Sequence, residues 1–585
     1  MKRLIIVLLS FALSANMIFA QLSGNGTSSS PYTGTLNQNT VWYPDSYAGG
    51  TLYAMNITIP SGLTLTISPG EYNGGHVQFT GTTVLTINAG GTFIIDPQTS
   101  VTVHNITNNG TMRLESFANE PGIASLIHRV YSGTGVVETE LYLSGGTTPV
   151  NDYKWHYISV PVNNVSVSTF STLNLAQYIE SLVIGADNYP GWVAYDGYQY
   201  SSGTNPGPTF STLDLGVGYN YYSAAGATYT LTGTLNIGDL DVLVYCGTDF
   251  PDYQGYNLLG NPFASCLNWD VIIEDYTPAY VQDAIYFTNN GLIASYVNGT
   301  GSDGGTSTIP PLQGFFVKAT AVSDVYLASA ARTHNLDQQR YKKKSTGESY
   351  SSSDTISFVR LQLKNAPDSA DLVVRFNNKA TAEADKMFDA YEFSKTAGSV
   401  NIWSISGNVA YSINGLPFPE TTVSVPVGIN IKTAGTFKLS SNELKNLDYY
   451  SVILKDLKTN KTADLKKGEF IEFNATEGMT EDRFIIVITK SATAVPEYSS
   501  TEKKFRVYFS SGLINIMPLS DEYANVVGSV TIYNLAGSKM FQQNNIDWQG
   551  YGVLKQFTPK PEWRGTYIVE VKAGNWKFVE KINLL

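Results

Sequence analysis

The sequence has little of what metal, nucleotide and nucleic-acid chemistry require. Among 585 residues there are 2 cysteines and 5 histidines. His76, His104, His128, His156 and His334 share no spacing that sets two ligands on one face, and no His-Glu-x-x-His helix is present. Two cysteines without neighbouring histidines cannot close a zinc site. No Gly-x-Ser-x-Gly elbow occurs, nor a glycine-rich phosphate loop followed by Lys-Ser or Lys-Thr, so serine hydrolases and ordinary nucleotide hydrolysis are excluded. Charged residues make up only 15% and the net charge is -12, which repels phosphate and excludes nucleic acid as a partner. Beyond the first 20 residues no apolar run reaches the roughly 18 residues needed to span a bilayer, so the mature chain carries no transmembrane helix. Runs with helical period are scarce, which excludes bundles and coiled coils.

Glycine (52), proline (24) and the aromatics (38 Tyr, 26 Phe, 8 Trp) are abundant instead. That composition reads as all-β and folded, and the length suits about four domains. At the start, Lys2 and Arg3 precede a short apolar core from Leu4 to Leu9 that closes on Ala20, the pattern of a signal peptide over residues 1–20.

Charge divides the remainder. From 21 to 330 four basic residues (Arg113, Arg129, Lys154, Lys318) stand against 22 acidic ones, a net of -18; from 331 to 585 there are 31 basic and 27 acidic, a net of +4. The shift falls where Lys342, Lys343 and Lys344 lead into Ser351, Ser352 and Ser353, a linker composition. We therefore expect a β-helix-like or β-solenoid domain over 21–149, a β-rich domain over 150–335, a linker at 336–350, a β-sandwich over 351–492, a second linker at 493–504 and a terminal domain over 505–585. Short strands at Leu63–Ile67, Val84–Ile87, Phe93–Ile95, Val101–Val103 and Met112–Leu114, with small-residue corners between them, suggest a short right-handed β-helix with coils of about 20 residues. In the third region strands are expected at Phe358–Leu363, Leu372–Phe376, Ser451–Leu454 and Phe484–Ile488, and a helix near Ala380–Ala390.

Several residues are candidates for function. Trp192, Tyr195, Tyr198 and Tyr200 surround Asp196-Gly197, a hairpin dipeptide; flat rings beside a turn can stack on sugar faces, or pair across strands in a core. Glu138 and Glu140 alternate on one strand and so point to one face, as do Asp239 and Asp241; such pairs serve glycosidases, and also occur on ordinary solvated strands. Asp303, in Gly301-Ser302-Asp303-Gly304-Gly305, is a candidate calcium ligand, though no full ligand loop surrounds it and no other cofactor is expected. Cys246 and Cys266 are either a disulfide or two buried thiols.

The terminal strands carry the most specific pattern: Val530–Gly537 with Tyr533, Asn534 and Gly537, then Gly565–Val571 with Gly565, Tyr567 and Val569, then Lys577–Ile582 with Lys577 and Lys581. These resemble the C-terminal (type A) sorting domain of type IX secretion cargo, a small β-sandwich. Trp155–Pro161, Gly255–Phe263 and Ile309–Val317 resemble recurrent pieces of large modular surface proteins exported by the same route. The resemblance implies a Gram-negative bacterium, contact with the type IX machinery, and a mature protein secreted or held at the outer-membrane cell surface. The function this implies is adhesion or glycan binding without catalysis, with a polysaccharide or surface glycan as ligand. The alternatives are a polysaccharide-degrading enzyme with its site on the β-helix, or a structural matrix protein.

Overall fold

The computed structural model describes residues 22–491 and 505–584, apart from 71–73, 118–121, 146–154, 171–173, 183–190, 199–206, 248–252, 336–355 and the positions 224, 277, 290, 511, 536 and 575. The signal peptide at 1–20, the linkers at 336–350 and 493–504, and Tyr200 lie outside the described residues. Strands dominate throughout, as composition predicts.

The N-terminal region is a β-solenoid. Its strands are β1 (Tyr32–Thr35), β2 (Thr40–Trp42), β3 (Thr51–Ile59), β4 (Thr64–Ile67), β5 (His76–Phe79), β6 (Val84–Ile87), β7 (Thr92–Ile95), β8 (Ser100–Asn108), β9 (Thr111–Leu114), β10 (Ser125–Ser132) and β11 (Val136–Leu143). One parallel sheet runs β1-β3-β5-β8-β10, with β6 also joining β3 to β8; the other contains β2-β4-β7-β9-β11. Leu52, Val77, Val101 and Leu126 stack in register, and so do Leu65, Phe93, Met112 and Val137, all of them fully buried. Alternation inward and outward along each strand therefore builds one core inside the coils.

The first of these stacks repeats about every 25 residues, so the expected coil of about 20 is corrected. The longer coil has three strand segments: the first half of β3 pairs with β5 and the second half with β6, the strand turning at Asn56 with φ 35°. Corners stack closely as well. Thr111 donates to the Gly91 carbonyl at 3.0 Å and Val136 to that of Gly110 at 2.8 Å; a β-carbon on Gly110 would strike the Gly91 carbonyl oxygen.

The second sheet does not end at β11. Strand Ala227–Gly233, from the following region, pairs with β11 antiparallel and covers that edge, an arrangement that stops end-to-end strand pairing. The following region also contains an antiparallel sheet in the order Tyr256–Gly260, Gly314–Ala319, Val281–Asn289, Leu292–Val297, Thr300–Ser302. The α-helix Trp269–Tyr276 buries Trp269, Ile272 and Ile273, a stripe at helical spacing too short to stand out in the sequence.

Residues 357–490 form one continuous sheet of eleven strands whose two ends approach each other around a single core drawn from all of it. All four strands expected there are present. The expected helix near Ala380–Ala390 is not. Side chains take its backbone donors instead: Thr381 N–H gives to Asp385 Oδ2 and Asp385 N–H to Asp389 Oδ2, both at 2.6 Å, while Asp389 Oδ1 takes the Gly415 N–H at 2.5 Å.

The described residues through Lys490 pack as one compact unit. Tyr157, Tyr256 and Phe316 share a buried cluster with Phe358, Val373 and Ile413, which joins the second and third regions. The second compact unit is 491–585. It has its own core, including Phe505, Trp548, Trp563, Val569 and Val571, between a three-stranded sheet (Phe505–Ser510, Leu513–Pro518, Lys555–Phe557) and a four-stranded one (Lys539–Trp548, Val526–Asn534, Gly565–Ala573, Trp576–Leu584).

Candidate functional site

Stacked coils bring together residues that lie about 25 apart in sequence. On the outer face of the second sheet Arg113 is in register with Glu138, and the guanidinium grips that carboxylate through Nη2 at 2.7 Å and Nε at 2.8 Å. The next outward position on each strand is Glu115 and Glu140. Glu140 accepts the Ser116 N–H at 3.3 Å. Glu115, whose side chain is 13% exposed, is pushed up to about 7, first by burial and then by the charges of Glu140 and Asp96, against the pull of Arg113. Glu138 and Glu140 do share a face as their spacing predicts, but Glu138 is held by its ion pair. The carboxyl with a proton to give near neutral pH is Glu115. Reading the repeat at 25 instead of 20 residues would have paired it with Glu140.

Because the folded-state value of Glu115 lies above its ordinary 4.5, its protonation stabilises the fold below about pH 4.5, and that contribution is lost as pH rises through about 7. Glu115→Gln, which resembles the protonated acid, is expected to raise the urea midpoint of the N-terminal unit at pH 8 and to leave it unchanged at pH 4. Equal midpoints for variant and wild type at both pH values would show that Glu115 is not destabilised by its neighbours.

The histidines are partly gathered by the fold. His76 and His334 lie with ring centroids 5.0 Å apart; His334 hydrogen-bonds Ser125 Oγ through Nδ1 at 2.7 Å and Thr102 Oγ1 through Nε2 at 2.9 Å, and His76 Nδ1 meets Ser100 Oγ at 2.9 Å. Ser100 and Ser125 are buried, so neither hydroxyl is open to a solvent-borne substrate. Arg332 Nη1 donates to the His128 carbonyl at 2.7 Å. The segment around Arg332–Thr333 is thus a strap tying the second region onto the solenoid. Burial pushes both His128 and His334 down to about 3, so both are neutral at physiological pH. Among the described residues no three His, Cys, Asp or Glu side chains form a group that could hold a metal ion.

The aromatic candidates are dispersed. Trp192 is half-buried and packs among Tyr157, Tyr178 and Phe316, the Tyr178 ring edge-on at 5.1 Å, so it is not a displayed ring. Tyr195 packs partly against the solenoid core. Tyr198 is 36% exposed, with its N–H given to Asp196 Oδ1 at 3.0 Å in the turn that Gly197 completes at φ 86°. Asp239 and Asp241 both lie beside Tyr326: Asp239 accepts its Oη at 2.6 Å and the Ser329 N–H at 2.7 Å, while Asp241 is opposite Tyr326 across the strands.

Asp303 is buried, in a turn at φ 49°, where its Oδ1 takes the Asp371 N–H and its own N–H goes to Asp371 Oδ1, both at 2.9 Å. Cys246 and Cys266 are free thiols, which corrects the disulfide alternative: Cys266 is buried with its thiol directed at the Asn335 carbonyl at 3.8 Å and pushed up to about 12 by burial, while Cys246 is partly exposed.

In the C-terminal unit, the segments bearing the sorting-domain pattern are adjacent strands of one sheet. Tyr533 pairs with Ile568 and Val569 with Glu580 across it. Gly537, φ 78°, closes a turn in which Asn534 Oδ1 takes the Ser538 N–H at 2.9 Å. Tyr567 stacks on Trp563 at 5.2 Å, Gly565 sits at φ 87°, Lys577 bonds Glu570 at 2.8 Å, and Lys581 is exposed opposite Ile568.

Residues 52–488 match a protein family described as a domain of unknown function (DUF8693). The chain belongs to the DUF8693 family. The match opens inside β3 and closes within the last strand before Lys490, so the DUF8693 region spans nearly all of the N-terminal unit and stops short of the C-terminal one. A search of curated proteins finds no match to this chain.

Proposed function

We propose that this DUF8693 protein is an exported surface or secreted protein in two parts, a binding passenger through residue 490 and an address from 491 that the type IX machinery reads. The observation that carries the reading is the C-terminal unit: it has its own core, and the strands bearing the sorting-domain pattern are neighbours in one of its sheets. A receptor can recognise such a unit without regard to the passenger attached. The signal peptide supplies the first membrane crossing and the terminal unit the second. The passenger is non-enzymatic and adheres to a glycan, a role suited to an acidic, rigid solenoid with a long accessible surface.

Deleting residues 491–585 is expected to leave the passenger folded in the periplasm of a bacterium carrying a type IX system. Surface or medium levels equal to those of the full chain would sink the address reading. Glu115, its carboxyl pushed up to about 7 by burial and then by the charges of Glu140 and Asp96, favours a second reading, a polysaccharide-cleaving site on the outer solenoid face. New reducing ends released from a polysaccharide by the wild type and not by Glu115→Gln would establish it.

A further inference from the structure

We propose that a cavity at the N-terminal end of the solenoid binds a neutral saccharide; this rests on the reading of the N-terminal unit as a binding passenger and gives that passenger a site. At the near end β1 and β2 are the terminal strands of their sheets, and Ser23 pairs antiparallel with Thr33 of β1, its N–H donating to the Thr33 carbonyl at 2.8 Å. Beside them lies a cavity of about 340 Å³, within the range of about 300–1,000 Å³ usual for small-molecule sites.

Four aromatic rings line it. Tyr32 and Trp42 stack at 5.5 Å with their planes 15° apart, and Tyr32 Oη meets Tyr47 Oη at 3.0 Å. Trp42 belongs to the solenoid core, so the stacked pair is fixed by the fold. Tyr43 is 47% exposed and stacks on no other ring among the described residues. The exposed amides of Asn37 and Gln38 stand at the same opening.

That combination suits a sugar. A pyranose presents a face of C–H groups, which packs on a flat ring, and an edge of hydroxyls, which amides satisfy as both donors and acceptors. No Asp, Glu, Lys, Arg or His lines the cavity, so nothing there compensates a charged ligand. The net charge of -18 over residues 21–330 further disfavours an anionic polymer.

The test is affinity electrophoresis of the full chain through gels containing hydroxyethylcellulose, xyloglucan or galactomannan, with polygalacturonate as the anionic comparison. At least one neutral polymer is expected to retard the protein. Tyr43→Ala, and Asn37→Ala with Gln38→Ala, should weaken that retardation about tenfold with an unchanged melting curve, and Tyr198→Ala should leave it intact. Retardation abolished by Tyr198→Ala and untouched by Tyr43→Ala would overturn this site while leaving the passenger a glycan binder. No retardation by any polymer would overturn both the site and the binding role. Retardation by polygalacturonate alone would overturn the neutral ligand, and a dimer that dissociates on Tyr43→Ala without any saccharide effect would assign the end to a second copy of the chain.

Discussion

Alanine in place of Asp371 is expected to cost the N-terminal unit about 3–5 kcal/mol, the penalty for removing one partner of a buried ion pair. Arg360 and Asp371 are both completely buried, with Nη1 to Oδ1 at 3.2 Å. The same guanidinium nitrogen donates to the Gly301 carbonyl at 2.7 Å, and Nε reaches Glu443 at 3.3 Å. Asp371 also exchanges reciprocal hydrogen bonds with Asp303, so one carboxylate both pairs with Arg360 and fixes the turn after strand Thr300–Ser302 to the eleven-stranded sheet. The alanine variant would remove both the carboxylate that Arg360 Nη1 reaches and the Oδ1 that accepts the Asp303 N–H at 2.9 Å.

By contrast, Lys467→Ala removes an ion pair to Asp464 whose lysine is 70% exposed, and is expected to leave stability essentially unchanged. Urea unfolding of the full chain measures both. A loss below about 1 kcal/mol for Asp371→Ala would mean that the seam between the second and third regions does not depend on this pair.

How much of this was legible follows from where the contacts lie along the chain. The strands β4, β6, β7 and β9 were read directly, because glycine corners punctuate them and their alternation is regular. The coil of about 20 residues fails because no strand is expected from sequence over 51–59, where β3 turns its corner at Asn56 with no glycine or proline to mark it and adds a segment to the coil. Glu115 was overlooked for the same reason, since its partners are one coil away. The sequence leaves Trp192 open between a displayed ring and a core one, because a Trp and three tyrosines around Asp-Gly look alike in both; the ring that decides, Phe316, is far along the chain. The flanking glycines of Asp303 serve the turn it sits in, and its partner Asp371, beyond residues 336–355, is too distant in sequence to be read beside it. The C-terminal unit was the most legible part, because strands Gly565–Ala573 and Trp576–Leu584 form a local hairpin whose pairing requires no distant segment.

The separateness of that unit also makes it the sharpest test of the whole account. Residues 491–585, placed behind a signal peptide and an unrelated protein that otherwise stays in the periplasm, are expected to carry the fusion across the outer membrane of a bacterium with a type IX system. In a strain without that system the same fusion should remain inside. The quantity to measure is the fraction of the fusion that external protease can reach in intact cells, together with the fraction released to the medium. Near-complete accessibility or release, lost in the strain without the secretion system, is the predicted result. A fusion that stays periplasmic in both strains, although folded, would contradict the claim that this unit is an export address.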